Sequence, residues 1–204
     1  MSTDAARPAA SAKIRAIAGT RTSSPVANIL LLYSSVYGQT LRICERMQAR
    51  LVALGHRVDV VALDGAADPA AYDGVFIGAS IRHGKHNPAV LDFIRAHQPL
   101  LESKPGGFFS VSLVARKPAK NTPETNPYMK AFLAGCPWRP QLLGVFGGEL
   151  DYQRYGFIDR HAIRFIMWLT KGPRDPHTKV EFTNWEDVER YADGIAALVA
   201  ARAG

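Results

Sequence analysis

From residue 26 onward two kinds of apolar patterning take turns along the chain. ANILLLY, residues 27–33, is continuously apolar, the pattern of a parallel strand buried on both faces. In the next segment, TLRICERMQARLVALGH, Leu41, Cys44, Met47, Leu51 and Leu54 recur every three or four residues with arginines on the other side. That spacing predicts an amphipathic helix, which Gly55 ends. RVDVVALD alternates as a second strand, and YDGVFIGAS is a third that ends in small residues. NPAVLDFIRAHQPLL reads as a helix with Pro88 in its first turn. GGFFSVSLVA is a fourth strand, followed by the polar, proline-bearing RKPAKNTPETNP and by YMKAFLAG. QLLGVFGGEL is a fifth strand, and FIDRHAIRFIMWLTKG and WEDVERYADGIAALVAA read as the last two helices.

Strands alternating with helices predict an α/β fold with a parallel sheet covered on both faces. Five strands fit a doubly wound three-layer sandwich, for which the flavodoxin-like order 2-1-3-4-5 is a common solution. A nicotinamide-type Rossmann domain competes, but the GxGxxG it wants after the first strand is absent. The length, 204 residues, suits one domain, and 47% apolar content suffices for a core. Residues 1–25, rich in Ala, Ser, Thr and Arg, lack the apolar centre of a secretion signal and read as a mobile tail before a folded domain at 26–201. Cys44 and Cys136 form no metal-ligand spacing, and no metal is expected; a reduced, cytosolic protein is the plain reading. No segment reaches the run of about 20 apolar residues that a membrane span needs.

Charge changes the picture. The formal net charge is +7, which fits nucleic acid, an anionic membrane surface or an acidic substrate without choosing among them. In an open parallel sheet ligands gather at the carboxyl ends of the strands, so the loops there carry the functional question. After the first strand come Ser34, Ser35, Val36, Tyr37, Gly38, Gln39 and Thr40: three hydroxyls on Ser and Thr, an amide and a glycine ahead of a helix N-terminus. That set suits a phosphate, though Thr40 or Ser35 acting as a plain helix cap accounts for it equally well. After the third strand, Ala79, Ser80 and Ile81 let the backbone approach a flat ring, and Arg82 is placed to stabilise negative charge on a reduced ring or a carboxylate. His83 and His86 are weak choices for proton relay. Ser110, Ser112 and Leu113 after the fourth strand, and Gly147 and Gly148 after the fifth, would face the same cleft.

The first loop resembles the phosphate loop of flavodoxins, which bind FMN non-covalently there. IGASIRHGKHNPAV, SVSLVARKPAKNTPETNPYMKAFL, the WRP at 138–140, RYGFIDRHAIRFIM and the TNW at 183–185 resemble more closely the quinone-dependent protoporphyrinogen IX dehydrogenases of bacterial haem synthesis. The resemblance runs from about Ile29 to about Leu198, and its most diagnostic part is the basic insertion at about 116–130. Tyr37 departs from it, being bulkier than the short polar residue expected before the glycine. The resemblance implies an FMN oxidoreductase that converts protoporphyrinogen IX to protoporphyrin IX and passes electrons to menaquinone or ubiquinone. It also implies a cytoplasmic protein, peripheral on the inner face of the cell membrane. The loop residues above would hold FMN, Arg82 would act electrostatically, and Arg116, Lys117 and Lys120 would meet the substrate propionates.

The distribution of charge agrees. Residues 26–113 carry eight basic and seven acidic side chains, whereas residues 114–140 and 154–179 each carry a net +4. Two propionates or an anionic inner leaflet would be attracted there. FIDRHAIRFIMWL is apolar on most of its surface, with Arg160, Arg164 and Trp168 on one stripe. As a helix it would span about 20 Å, too short to cross a bilayer. It suits a membrane interface, or equally a face packed on the sheet or against a second copy of the chain. A flavodoxin-type electron carrier and an NAD(P)H:quinone oxidoreductase are the rival functions. Nucleic acid is not an expected partner, because the basic residues lack interleaved aromatics arranged for stacking.

Overall fold

The computed structural model describes residues 26–65, 67–153 and 179–203, together with His161, Ile163, Trp168 and Asp175. The expected tail and most of the expected late apolar helix, including Arg160 and Arg164, lie outside the described residues.

Five parallel strands form the main sheet: β1 (Asn28–Ser34), β2 (Arg57–Ala62), β3 (Gly74–Arg82), then β5 (Gly106–Ser112) and β6 (Leu142–Gly147), with the two-residue β4 (Lys85–His86) between β3 and β5 in sequence. Their order is β2-β1-β3-β5-β6, which is the expected 2-1-3-4-5 when β4 is left aside. Strand side chains alternate between faces, so each apolar run feeds two cores. Ile29, Leu31, Phe76 and Phe109 face α1 (Gln39–Ala53) and the C-terminal helix α5 (Trp185–Ala203). Leu30, Leu32, Val75, Ile77 and Phe108 face the other side, covered by α2 (Pro88–Ala96), α3 (Gln98–Glu102) and α4 (Pro127–Gly135). That double burial is why ANILLLY shows no polar alternation. The arginine side of α1 is spent on α5, through the ion pairs Arg46–Glu189 and Arg50–Asp193.

The structure departs from the sequence reading at several ends. Leu54 is the C-cap of α1 and is 44% exposed, so it is not a core residue. The expected second helix divides at His97 into α2 and α3, because Pro99 has no N–H to continue the ladder. The third strand runs on to Arg82 and turns back through His83 (φ 49°) and Gly84 (φ 79°) into β4, an antiparallel hairpin. Two central residues at positive φ make the tight turn that matches strand twist. The fourth strand stops at Ser112, and Leu113–Arg116 and Pro118–Lys120 are 3-10 turns. The fifth strand also divides. Beyond Gly147 the chain leaves the sheet as β7 (Glu149–Asp151), which pairs antiparallel with β8 (Lys179–Glu181).

Candidate functional site

The loops after β1, β3, β5 and β6 enclose a cavity of about 400 Å³ at the carboxyl edge of the sheet. Ser35, Val36, Tyr37, Gln39 and Thr40 line its first wall. Gly38 is the N-cap of α1 at φ 90°, a conformation that favours glycine, and no side chain caps the helix there. Ser35 Oγ instead accepts from Gly38 N–H (3.0 Å), which tightens the loop. Thr40 Oγ1 is buried and, among the described residues, has no hydrogen-bond partner. The first turn of α1 offers its unpaired N–H groups and dipole beside that hydroxyl. A plain capping role for Thr40 is therefore excluded, and an acceptor-rich anion fits the place.

Gln39 has other work. Its Nε2 donates to Glu181 Oε1 and Thr183 Oγ1 (2.7 Å each) and its Oε1 accepts from Arg42 (2.9 Å), so its amide ties α1 to the region of β8. Tyr37 packs with Leu113, Ile163 and Phe182 against Leu150 and Tyr152, which gives its bulk a use.

Ser80, Ile81 and Arg82 form the β3 wall, with His83 and Gly84 beyond them at the hairpin tip. The β5 wall is Ser112, Leu113, Arg116, Lys117 and Lys120. Ser112 Oγ is the second buried hydroxyl without a partner among the described residues. Arg116 donates to Leu113 O (2.9 Å) and lies over the Phe182 ring, and burial lowers its pKa. Among the described residues neither Lys117 nor Lys120 has an acidic partner. Glu149, from β7, is the acidic lining residue, and its carboxylate sits between Lys179 (3.3 Å) and Arg42 (3.7 Å). The cavity thus combines an anion seat at one helix N-terminus, small and apolar walls, and several cations that a second anion would meet.

Five residues expected in the site do not line the cavity. Ser34 Oγ accepts from Asn87 Nδ2 (3.2 Å). Gly38 contributes its conformation. Ala79 is buried in the core on the α2 side. Ser110 is hydrogen-bonded to His86 Nε2 (2.9 Å). At Gly147 a Cβ would meet Phe182 O at 2.2 Å, so the close approach there is to the chain after β8 rather than to a ligand. His86, set edge-on to Phe108 and Phe132, is desolvated and its pKa falls to about 4. It is half-buried against these rings, while His83 lines the cavity.

The family model of the Flavodoxin domain matches residues 30–177. Protoporphyrinogen IX dehydrogenase (quinone) of Escherichia coli K12 is 42% identical over 171 residues, 83% of this chain and 94% of that protein. The protein of the same name from Leishmania major is 42% identical over 172 residues, 83% of this chain and 74% of that one. The chain belongs to the quinone-dependent protoporphyrinogen IX dehydrogenase family of flavodoxin-domain oxidoreductases. Solved flavodoxins match more loosely. One from Streptococcus pneumonia TIGR4 is 16% identical with a TM-score of 0.49, over 86% of this chain and 99% of its own. One from the domain Archaea is 14% identical with a TM-score of 0.47, over 84% and 98%.

Sequence reasoning missed several residues of this family member's cavity. Val111 and Val114 flank residues that were chosen. Tyr128 arrives from the first turn of α4, which the Asn126-Pro127 cap signature announces. Glu149 arrives from β7, a strand too short to show any period. Gly84 carries a readable signal, a turn glycine directly after His83, which was already a weak choice for proton relay.

Proposed function

We propose that the chain is an FMN enzyme of haem biosynthesis that oxidises protoporphyrinogen IX to protoporphyrin IX with menaquinone or ubiquinone as acceptor. The observation that carries it is a cavity with two unsatisfied hydroxyls, Thr40 Oγ1 and Ser112 Oγ, between a helix N-terminus and a basic wall. These residues fit FMN. The phosphate would take the N–H groups and hydroxyl of the α1 first turn, and Ser112 would meet a polar edge of the ring. When bound, the flavin supplies what no side chain can, two-electron acceptance from the substrate and delivery to a quinone. The chain supplies the rest. The loops from Ser80 to Arg82 and from Ser112 to Arg116 shield the ring from water, and Arg82 stabilises negative charge beside it. Arg116, Lys117 and Lys120 attract the two propionates, and Lys117 and Lys120 distinguish this reading from a plain electron carrier. The quinone is lipid-soluble, so the protein works as a cytoplasmic enzyme docked on the anionic inner face of the membrane.

The test is one anaerobic assay. Protein loaded with FMN forms fluorescent porphyrin from protoporphyrinogen only when a quinone is present. Porphyrin formation without quinone would remove the proposed acceptor, and no porphyrin at all would remove the function. Rapid bleaching of the bound flavin by NADPH would favour an NAD(P)H:quinone oxidoreductase instead.

A further inference from the structure

We infer that Asn126 is a positioning residue that fixes Lys120 on the cavity wall and thereby sets the site's preference for a substrate bearing carboxylates. This rests on the reading that Lys120 meets the substrate propionates. Asn126 is fully buried, at 0% exposure. Its Oδ1 accepts from Tyr128 N (3.0 Å) and Met129 N (3.2 Å), capping α4. Its Nδ2 donates to Lys120 O (2.9 Å). One side chain thus holds the backbone at two places within the insertion, and Lys120 and Tyr128, which it holds, both line the cavity.

The chemistry of the amide is informative. A helix cap needs only an acceptor, and Asp or Ser serves there about as well as Asn. The donor half of the amide is the part that capping leaves unexplained, and it is spent on Lys120. The stretch between them is short and closed on itself: Asn126 N donates to Thr122 O (2.9 Å), and the Thr122 and Thr125 hydroxyls bond each other (2.9 Å). The insertion is therefore a tied loop with Asn126 as its inner knot. A lysine on a free loop would lose chain entropy on meeting a carboxylate, and fixing its backbone beforehand removes part of that cost.

Asn126→Asp is the discriminating variant, because it keeps the cap acceptor and loses the donor. In the FMN-loaded protein we expect flavin affinity within about twofold of wild type. The KM for protoporphyrinogen should rise roughly three- to tenfold at nearly unchanged kcat, the worth of one hydrogen bond. With the dimethyl ester of the same porphyrinogen, which lacks the charged propionates, variant and wild type should give the same KM. Trypsin supplies a readout independent of turnover: the Lys120–Asn121 bond is cleavable, whereas Lys117 is followed by Pro118. Cleavage after Lys120 should be several-fold faster in Asn126→Asp. An unchanged KM, or an equal rise on acid and ester, would overturn the inference. So would flavin loss in parallel with the KM change, which would make Asn126 a plain structural residue. If the wild-type chain did not oxidise porphyrinogen, the proposed function and the substrate half of this inference would fail together, and equal trypsin rates would then overturn the positioning half as well.

Discussion

Thr40, which is buried, and His86, which is half-buried, illustrate opposite uses of a polar side chain withdrawn from water. A buried hydroxyl without a partner costs roughly 1–3 kcal/mol, so the folded chain carries Thr40 at a loss that a bound phosphate would recover. Thr40→Val should leave the flavin-free protein as stable as wild type, or about 1 kcal/mol more stable, by urea denaturation. The same variant should bind FMN at least about tenfold more weakly by fluorescence titration, since a hydrogen bond to a charged group is worth about 1.5–3 kcal/mol. Loss of stability without loss of flavin would contradict the assignment. His86 is satisfied by Ser110 and held neutral by burial, its pKa dropping from 6.5 to about 4. The unfolded chain therefore takes up a proton between those values that the folded chain refuses. Stability from this ring is complete above about pH 6.5 and is lost as the pH falls towards 4, by up to roughly 3 kcal/mol. Burial lowers the pKa of His56 too, which adds in the same direction. In His86→Gln, which keeps a hydrogen-bonding group for Ser110, denaturation midpoints at pH 7 and pH 4.5 should lie closer together than in wild type.

Elements explain which parts of the molecule were legible. β1, β3 and β5 are buried on both faces and α1 on one, so their sequences show a continuous run or a 3.6-residue period; the strand order was expected only as a common solution for such an alternating chain. β4, β7 and β8 have two or three residues each, too few to display a period. The strand pair that delivers Glu149 was therefore invisible, and at His83–Gly84 the turn glycine was readable while the strand after it was not. The loops that the carboxyl-end rule names meet around one cavity, but the rule does not say which way single side chains face. Ala79 lies on the α2 side of the sheet, while Ser80 reaches the cavity one residue later. Gln39 shows the same limit from the helix side. It sits in a phosphate-type loop, but its amide is a strut between α1 and the chain around β8. Gln39→Met should therefore cost about 1–3 kcal/mol of stability through the groups left unpaired, and should weaken FMN binding less than Thr40→Val. A larger flavin defect in the Gln39 variant than in the Thr40 variant would return the amide to the phosphate.

At the scale of the whole molecule the charge is asymmetric, and the asymmetry bears on where the enzyme works. Beyond residues 1–25, the basic excess is concentrated in residues 114–140 and 154–179, and the first of these segments supplies Lys117 and Lys120 to the cavity wall. Under the proposed function a lipid-soluble acceptor would reach a flavin in that cavity, so an anionic leaflet drawn to the basic residues of the 114–140 segment would face the cavity wall they line. Among the described residues no helix is long and apolar enough to cross a membrane, and Trp168 is 57% exposed. Under the proposed docking, attachment is electrostatic, with each basic side chain near the surface contributing about 1 kcal/mol. Such attachment fades as salt shortens the screening length from about 8 Å at physiological ionic strength to about 3 Å at 1 M. The full chain should sediment with vesicles containing anionic phospholipid, should not sediment with neutral ones, and should be released by 1 M salt. Arg160→Glu combined with Arg164→Glu should weaken vesicle binding at least about tenfold while leaving turnover with a water-soluble quinone unchanged, because the charges act on docking. Equal sedimentation of the double variant at low salt would assign those arginines to a packed face or a contact between two copies of the chain, and the docking surface would then have to lie on the insertion alone.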